Sequence, residues 1–248
     1  MVSGEDHVPR LRSEDREPAA EILSVAEGAA FLARYGLPLV AQTLARTGEE
    51  AENAARGYGG AVALKLVAKG LSHKSDVGGV RLGVNDAAEV RRHAAELLAA
   101  GHRMGDCDAL VLIQPMVRGL VELIVGIAED RTFGPVVAVG LGGTLTEFFE
   151  DIAIRIPPLT RDDALDLLGE TRTLRLLEGF RGNPPADKDA VVEVILAASR
   201  IALDGEVSEL DLNPVIVLKR GAGCVIVDNR VVRGDRAAAP DRNRIGRF

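Results

Sequence analysis

A lysine inside an apolar run is the first residue whose setting indicates chemistry. Lys65 stands in residues 61–67, AVALKLV, where an unpaired ammonium group would be costly to bury. A polar loop follows and ends in Gly78 and Gly79, which allow backbone amides to approach an anion closely. The pattern predicts a phosphate cradle in which Lys65 supplies positive charge. The alternative is a hairpin whose two glycines make a tight turn and whose lysine reaches solvent.

The same loop contains a histidine, His73, between hydroxyl, cationic and acidic neighbours. An imidazole nitrogen can accept a phosphoryl group, and Ser72, Lys74 and Ser75 would help to hold the phosphorylated form. The alternative is a solvent-facing loop histidine with no chemical role.

A third set of polar side chains lies toward the carboxyl end of the chain. Glu209, Asp211 and Asn213 alternate with leucines, so a strand would place all three on one face. Asp228 ends the next apolar run and would lie beside Asn213 if the two runs pair as a hairpin through residues 219–223. Two oxygen ligands plus substrate phosphates commonly hold Mg²⁺ in phosphoryl-transfer sites. The alternative is an ordinary exposed strand face with acidic residues.

Helices and strands alternate in the pattern of two α+β lobes, and a cleft between them is the expected ligand site. Helical spacing and capping signals predict helices over residues 19–35, 49–56 and 187–201, after Asn85 and Asp86, and from a capping box of Thr160 with Asp163. Short apolar runs predict strands over residues 39–42, 61–67, 110–114, 121–128, 136–141, 212–218 and 224–228. We expect a flexible arm over 1–18, an amino-terminal lobe over 19–114, a carboxy-terminal lobe over 115–232 and a flexible tail over 233–248.

Composition limits the possible functions. The 248 residues carry a net charge of −7, which argues against a general nucleic-acid binder. The apolar runs are too short to cross a bilayer, and the amino end has no signal-peptide core, so we expect no membrane association. Only two cysteines are present, which fits a reducing cytoplasm. The low aromatic content of 3% favours a polyanionic ligand over stacked bases.

Taken in order, these motifs resemble the ATP-grasp β part of the ADP-forming acyl-CoA synthetases of the acetate-CoA ligase type. The β subunits of succinyl-CoA synthetases are more distantly similar. The resemblance covers roughly residues 19–232 and rests on segments 63–65, 73–80, 114–116, 122–126, 133–135, 142–143 and 209–214. It implies a two-lobed α+β ATP-grasp fold that binds ATP or ADP with Mg²⁺. It also implies an acid-CoA ligase in which phosphoryl passes between a phosphohistidine and ADP.

The resemblance implies roles for individual residues. Lys65 would contact the nucleotide phosphates, and the hinge beside adenine would run from Gln114 to Val117. The implied nucleotide-binding residues are Lys65, Gly78, Gly79, Gln114, Met116, Val117 and Glu122.

The remaining implied roles concern the metal and the phosphoryl group. Asn213 and Asp228 match magnesium ligands, and Asp211 matches an acid that faces the phosphohistidine segment of the partner. His73 matches a second phosphoryl carrier within the β part.

The resemblance also implies a partner, because a CoA-binding Rossmann domain and the principal phosphohistidine domain have no counterpart in the sequence. We expect an α subunit that carries both, in an α2β2-type hetero-oligomer. One alternative is a catalytically silent nucleotide-sensing module of an acetyltransferase-type regulatory assembly. Another is a carboxylate-amine ligase, for which the loop around His73 would be unexpected.

Overall fold

A computed structural model describes residues 21–69, 78–142 and 151–234, which form two antiparallel sheets with helices packed on them. The strands are β1 (Glu21–Ile22), β2 (Thr43–Ala45), β3 (Val62–Val67), β4 (Val80–Val84), β5 (Leu110–Pro115), β6 (Val121–Asp130), β7 (Gly134–Leu141), β8 (Ile152–Arg155), β9 (Val207–Val217), β10 (Cys224–Ile226) and β11 (Asn229–Arg233). The helices are α1 (Val25–Ala33), α2 (Gly48–Tyr58), α3 (Ala87–Arg103), α4 (Arg161–Gly169), α5 (Thr173–Leu177) and α6 (Lys188–Asp204).

The smaller sheet has four strands in the order β2-β5-β3-β4. The apolar run around Lys65 forms β3, which lies between β5 and β4, so both of its edges are hydrogen-bonded. Helices α2 and α3 close one face of this sheet over a core that includes Leu64, Leu66, Leu97 and Ile113. Because β3 is central and buried, the position of its lysine is fixed by the strand ladder rather than by a loop.

The larger sheet has seven strands, in the order β1-β11-β9-β6-β7-β8 with β10 also paired to β9. The valines, isoleucines and alanines of α6 pack against its strands, as their apolar run predicts. Each sheet thus has its own core, which confirms the two α+β lobes predicted from the sequence.

Several local predictions are confirmed, and some details differ. The capping box of Thr160 with Asp163 begins α4, and Asp86 caps α3. The first helix begins at Val25, six residues later than the apolar spacing suggests, because the capping box of Ser24 with Glu27 sets its start. Strands β1, β2, β4, β8 and β11 and helix α5 have no counterpart in the sequence-based assignment. In the predicted strand 39–42 only an isolated bridge from Leu39 to Ile226 forms.

The amino-terminal residues pack on the larger sheet. Strand β1 pairs with β11, and Phe31 and Leu32 of α1 lie in the larger core. The sequence-based division groups these residues with the smaller sheet, since nothing local reveals a contact about two hundred residues away. At the other end, β11 extends through Arg233, one residue beyond the expected lobe.

Candidate functional site

Two polar side chains from the smaller sheet converge on one short segment of the larger lobe. Lys65 Nζ lies 3.3 Å from Asp228 Oδ2 and 3.4 Å from the carbonyl oxygen of Val227. Gln114 Nε2 donates to the same Val227 carbonyl at 3.0 Å. Residues 227–228 connect β10 to β11, so this contact joins the two sheets directly.

The environment of Lys65 bears on both interpretations of the glycine loop. Strands β3 and β4 form an antiparallel pair with Lys65 opposite Val80, which is the strand pairing that the hairpin interpretation requires. The lysine does not reach solvent, however, because only 8% of its side-chain surface is exposed. Its counter-ion Asp228 is 34% exposed. The ammonium group is therefore held inside the protein beside a partly hydrated carboxylate.

The two loop glycines lie at the start of β4. Gly78 has a φ of +65°, a conformation that glycine adopts without strain, and its carbonyl oxygen accepts from Arg81 Nη1 at 2.7 Å. The Gly79 carbonyl oxygen accepts from the Leu66 amide at 2.7 Å, which fastens this end of the loop next to Lys65. His73 lies outside the described residues, so its role stays a prediction.

Gln114 is buried at the end of β5, with 2% of its surface exposed. Its Nε2 also lies 3.3 Å from Gln42 Oε1, so both contacts use the amide nitrogen as donor. Among the described residues, nothing donates to its Oε1. A buried acceptor without a donor costs about 1–3 kcal/mol, so this side chain is held at a cost to stability.

The predicted hinge residues and Glu122 follow β5 and lie on β6, respectively. Met116 and Val117 follow β5, and the Met116 amide donates to the Ala61 carbonyl at 2.8 Å. Glu122 is exposed on β6, on the same face as Gly126, which is the register partner of Asp211. The Met116 amide thus bonds to the chain just before β3, and Glu122 lies on the strand next to β9.

The acidic face predicted near the carboxyl end forms as a strand. In β9, Leu210 and Leu212 are buried while Asp211 and Asn213 are half-buried on the opposite face. β10 returns antiparallel to β9, and the Asn213 amide donates to the Asp228 carbonyl at 3.2 Å. The hairpin expected to bring Asn213 and Asp228 together is confirmed. Glu209, in contrast, forms an ion pair with Arg230.

Asp211 has an unusual electrostatic setting. Its Oδ1 is buried, and no described group donates to it. Burial raises the pKa of the Asp211 carboxyl, and the neighbouring negative charge of Asp228 raises it further. Asp211 thus lies near Asp228, which in turn is paired with the ammonium group of Lys65.

The oxygen donors in this region suit a hard divalent cation. Within the described ranges, no three or more His, Cys, Asp or Glu side chains are arranged to hold a metal by themselves. Mg²⁺ usually takes one or two protein ligands and completes its shell with water and substrate phosphates. Asn213 and Asp228 offer such a pair, and the buried Asp211 Oδ1 is a further acceptor. These residues fit Mg²⁺ held jointly with a phosphate.

Sequence reasoning missed two participants. The carbonyl of Val227 receives both Lys65 and Gln114, yet a backbone acceptor has no sequence signature. Gln42 joins Gln114 only because β2 pairs with β5.

In the described part of the chain, no helix is both long enough and apolar enough to cross a membrane.

Comparison with known proteins adds a family and named relatives. An ATP-grasp domain model matches residues 15–232. The chain is 39% identical to the ADP-forming acetate-CoA ligase I of Archaeoglobus fulgidus over 236 residues, which are 90% of this chain and 34% of that protein. It is 36% identical to the β subunit of the ADP-forming acetate-CoA ligase II of Pyrococcus furiosus over 210 residues, which are 83% of this chain and 89% of that subunit. The chain thus spans about a third of the larger relative and most of the separate β subunit.

A solved structure shares the fold at significant sequence identity. It is that of dinucleotide-forming acetyl-coenzyme A synthetase 1 of Ca. Korarchaeum cryptofilum, in complex with coenzyme A and Mg-AMPPCP, with a phosphohistidine segment pointing towards the nucleotide-binding site. The TM-score is 0.72 at 36% identity, and the match covers 85% of this chain and 92% of that one.

Proposed function

The chain belongs to the ATP-grasp family, in the group of the ADP-forming acetate-CoA ligase β subunits, and we propose that it binds Mg²⁺ with ADP or ATP and transfers phosphoryl between a phosphohistidine and ADP. The two-lobed α+β ATP-grasp fold predicted from the motifs is shown by the family match and by the two sheets. In the proposed reaction the phosphorus-nitrogen bond of the phosphohistidine breaks as a phosphorus-oxygen bond to ADP forms, which gives ATP and free histidine.

The observation that carries this proposal is the meeting of Lys65 with Asp228 beside Asn213. A buried ammonium group and two oxygen donors lie on opposite sides of the junction between the sheets. A nucleotide phosphate with its metal needs both kinds of group within reach. Bound Mg²⁺ would neutralise charge on the phosphate oxygens, with Asn213 and Asp228 as its protein ligands.

The other residues have supporting roles in the proposal. Lys65 binds phosphate oxygens, and Gly78 and Gly79 belong to the loop over them. The adenine side is formed by Gln114, Met116, Val117 and Glu122. Asp211 faces the phosphohistidine segment that arrives from the partner, and His73 is a second phosphoryl carrier.

A partner subunit belongs to the proposal. Relatives named as β subunits match this chain over 89% and 99% of their own length, and such a name implies a further subunit. We propose that an α subunit supplies the CoA-binding and phosphohistidine domains and completes an acid-CoA ligase, as an α2β2-type assembly. The relatives described above give no support to the nucleotide-sensing or carboxylate-amine ligase alternatives. The cytoplasmic location stays a prediction.

Calorimetry on the full chain tests the nucleotide site. We expect ADP to bind in the presence of Mg²⁺ and to lose roughly tenfold or more in affinity when the metal is removed by EDTA or when Asp228→Asn is introduced. Asp162→Asn, a change at an exposed carboxylate of α4, is the matched control and should bind as the unmodified chain does. ADP binding that does not depend on Mg²⁺ or on Asp228 would contradict the metal assignment.

A transfer assay tests the reaction itself. The chain is mixed with its cognate α subunit, radiolabelled on the phosphohistidine, and with Mg²⁺ and ADP. Formation of labelled ATP supports the enzyme, whereas label that stays on the α subunit while ADP binds normally supports a sensor.

A further inference from the structure

The ion pair between Lys65 and Asp228 joins two residues that the proposed function assigns to different ligands. Lys65 is assigned to phosphate and Asp228 to Mg²⁺, yet in the structure they are bound to each other at 3.3 Å. We propose that Lys65 acts as a built-in competitor for the metal at Asp228, so that nucleotide and metal bind cooperatively by exchanging partners with this ion pair. This inference rests on the proposed function and deepens it.

The burial of Lys65 makes the competition strong. With 8% of the lysine side chain and 34% of the aspartate side chain exposed, their attraction is screened less than at a protein surface. A divalent cation that approaches Asp228 alone must displace the ammonium group and is repelled by it. The displaced lysine has little access to solvent, because only 8% of its side chain is exposed and its backbone is fixed in β3, which is paired on both edges.

A nucleotide that arrives alone meets the converse difficulty. Its phosphates can attract Lys65 only by drawing it away from Asp228, which then loses this counter-charge while it stays near Asp211. Asp211 already has a buried Oδ1 to which no described group donates, so this part of the site tolerates further negative charge poorly. When metal and nucleotide bind together, Lys65 contacts the phosphate and Asp228 binds the metal. Neither charged side chain then loses a partner of opposite charge.

The carbonyl of Val227 supports the exchange. It lies 3.4 Å from Lys65 Nζ and is held at 3.0 Å by Gln114 Nε2, so the ammonium group keeps a nearby acceptor while it changes partner. Thermodynamic linkage then requires that ADP raise the affinity for metal by the same factor as metal raises the affinity for ADP. Removing the positive charge of Lys65 should weaken this coupling and strengthen metal binding in the absence of nucleotide.

Binding of Mn²⁺, followed by electron paramagnetic resonance on the full chain, provides a readout that does not depend on activity. Lys65→Met should bind Mn²⁺ roughly tenfold more tightly than the unmodified chain when no nucleotide is present. The same substitution should reduce the gain in Mn²⁺ affinity that ADP produces. Lys65→Arg keeps the charge and should bind Mn²⁺ alone as weakly as the unmodified chain.

A second lysine controls for the overall change in charge. Lys69 lies two residues beyond β3, is well exposed and pairs with Asp108 at 3.6 Å, so Lys69→Met removes one positive charge without touching Asp228. It should leave Mn²⁺ affinity unchanged. If Lys65→Met fails to fold, as judged by circular dichroism, Lys65→Gln carries the same test with a polar side chain.

The outcomes separate the two proposals. Tighter Mn²⁺ binding by the neutral Lys65 variant with reduced coupling to ADP supports the exchange. If the unmodified chain binds Mn²⁺ with ADP but the neutral variant binds Mn²⁺ alone no more tightly, the exchange is wrong and the proposed function stands. Absence of any Mn²⁺-dependent ADP binding by the unmodified chain overturns both.

Discussion

The two sides of the site are built differently. On the smaller sheet, Lys65 and Gln114 lie within strands that are hydrogen-bonded to their neighbours, and both are almost fully buried. On the larger lobe, Asp211 and Asn213 are half-buried, and Asp228 stands in the short link after β10. The smaller sheet therefore supplies rigidly placed hydrogen-bond donors, whereas the larger lobe supplies oxygen acceptors on side chains that are only half-buried. This contrast teaches that loss of an acceptor and loss of a donor should affect stability and binding to different extents.

Removal of the Asp228 carboxylate, the acceptor of the ion pair, should have the largest effect on the free energy of unfolding. Asp228→Ala takes the counter-ion from a lysine that is 8% exposed, and a charge that loses its partner in a buried position is strongly destabilising. We expect the free energy of unfolding to fall by about 2–3 kcal/mol, measured by urea denaturation. Lys65→Met in the Asp228→Ala background should recover most of the loss, since it removes the buried charge that has lost this counter-ion. A loss that the second substitution does not recover would contradict the electrostatic explanation.

Removal of the Lys65 ammonium group, the donor of the ion pair, should affect nucleotide binding more than the free energy of unfolding. Lys65→Met replaces the lysine by an apolar side chain of similar length and leaves Asp228 with a third of its surface exposed, so we expect a stability change below about 1 kcal/mol. Affinity for Mg-ADP should fall by about 2 kcal/mol, or roughly thirtyfold, because a charge-assisted contact to phosphate is lost. Calorimetry measures the affinity, and Lys69→Met serves as the control. A large loss of stability with unchanged ADP affinity would reverse the contrast between the two sides.

Gln114 tests whether the neutral donor of the smaller sheet behaves as Lys65 does. Gln114→Leu removes the hydrogen bonds to Val227 and Gln42, and also removes the Oε1 that has no donor among the described residues. These effects partly offset each other, so we expect the free energy of unfolding to fall by only about 1 kcal/mol. Gln42→Leu removes just the 3.3 Å contact and should have a smaller effect. An equal or larger effect at Gln42 would show that Val227 is not the important partner of Gln114.

The same contrast explains what the sequence alone could predict. Lys65 was identifiable because a lysine in an apolar run needs a partner, and Asn213 with Asp228 because alternation and a hairpin are local patterns. The capping box at Thr160 was equally local, and the structure confirms it. Patterns within about twenty residues therefore predicted most of the helices and strands, and they also singled out the lysine and the oxygen-bearing side chains of the candidate site.

The remaining features depend on contacts between distant parts of the chain. Lys65 and Asp228 are 163 residues apart, and no periodicity in either segment specifies that they meet. Two other features also depend on such long-range contacts. Helix α1 packs on the larger sheet, and the Val227 carbonyl is contacted by both Lys65 and Gln114. Such pairings follow from how the sheets pack, which is a property of the whole fold.

Asp106 offers the smallest and most selective test on the side of the smaller sheet. Its Oδ2 accepts from the Lys69 amide at 2.7 Å and its Oδ1 from the Asp108 amide at 3.1 Å, so it fastens the chain just after β3. The Lys69 amide, followed by the Asp108 amide, lowers the pKa of the Asp106 carboxyl. Asp106→Asn should lower the melting temperature by a few degrees at neutral pH, since an amide presents only one acceptor oxygen.

The pH dependence of that difference gives the decisive measurement. A carboxyl whose pKa is lower in the folded than in the unfolded chain stabilises the fold fully above its ordinary pKa, and this contribution is lost as the pH falls through the lowered value. The melting temperatures of the two proteins should therefore converge in acid. The matched change in the larger lobe is Asp187→Asn, where the carboxylate accepts from the amides of Gly223 and Ala190. A difference at Asp106 that stays constant down to acid pH would mean that the side chain acts through its shape rather than its charge, and that the two donors it binds do not need an anion.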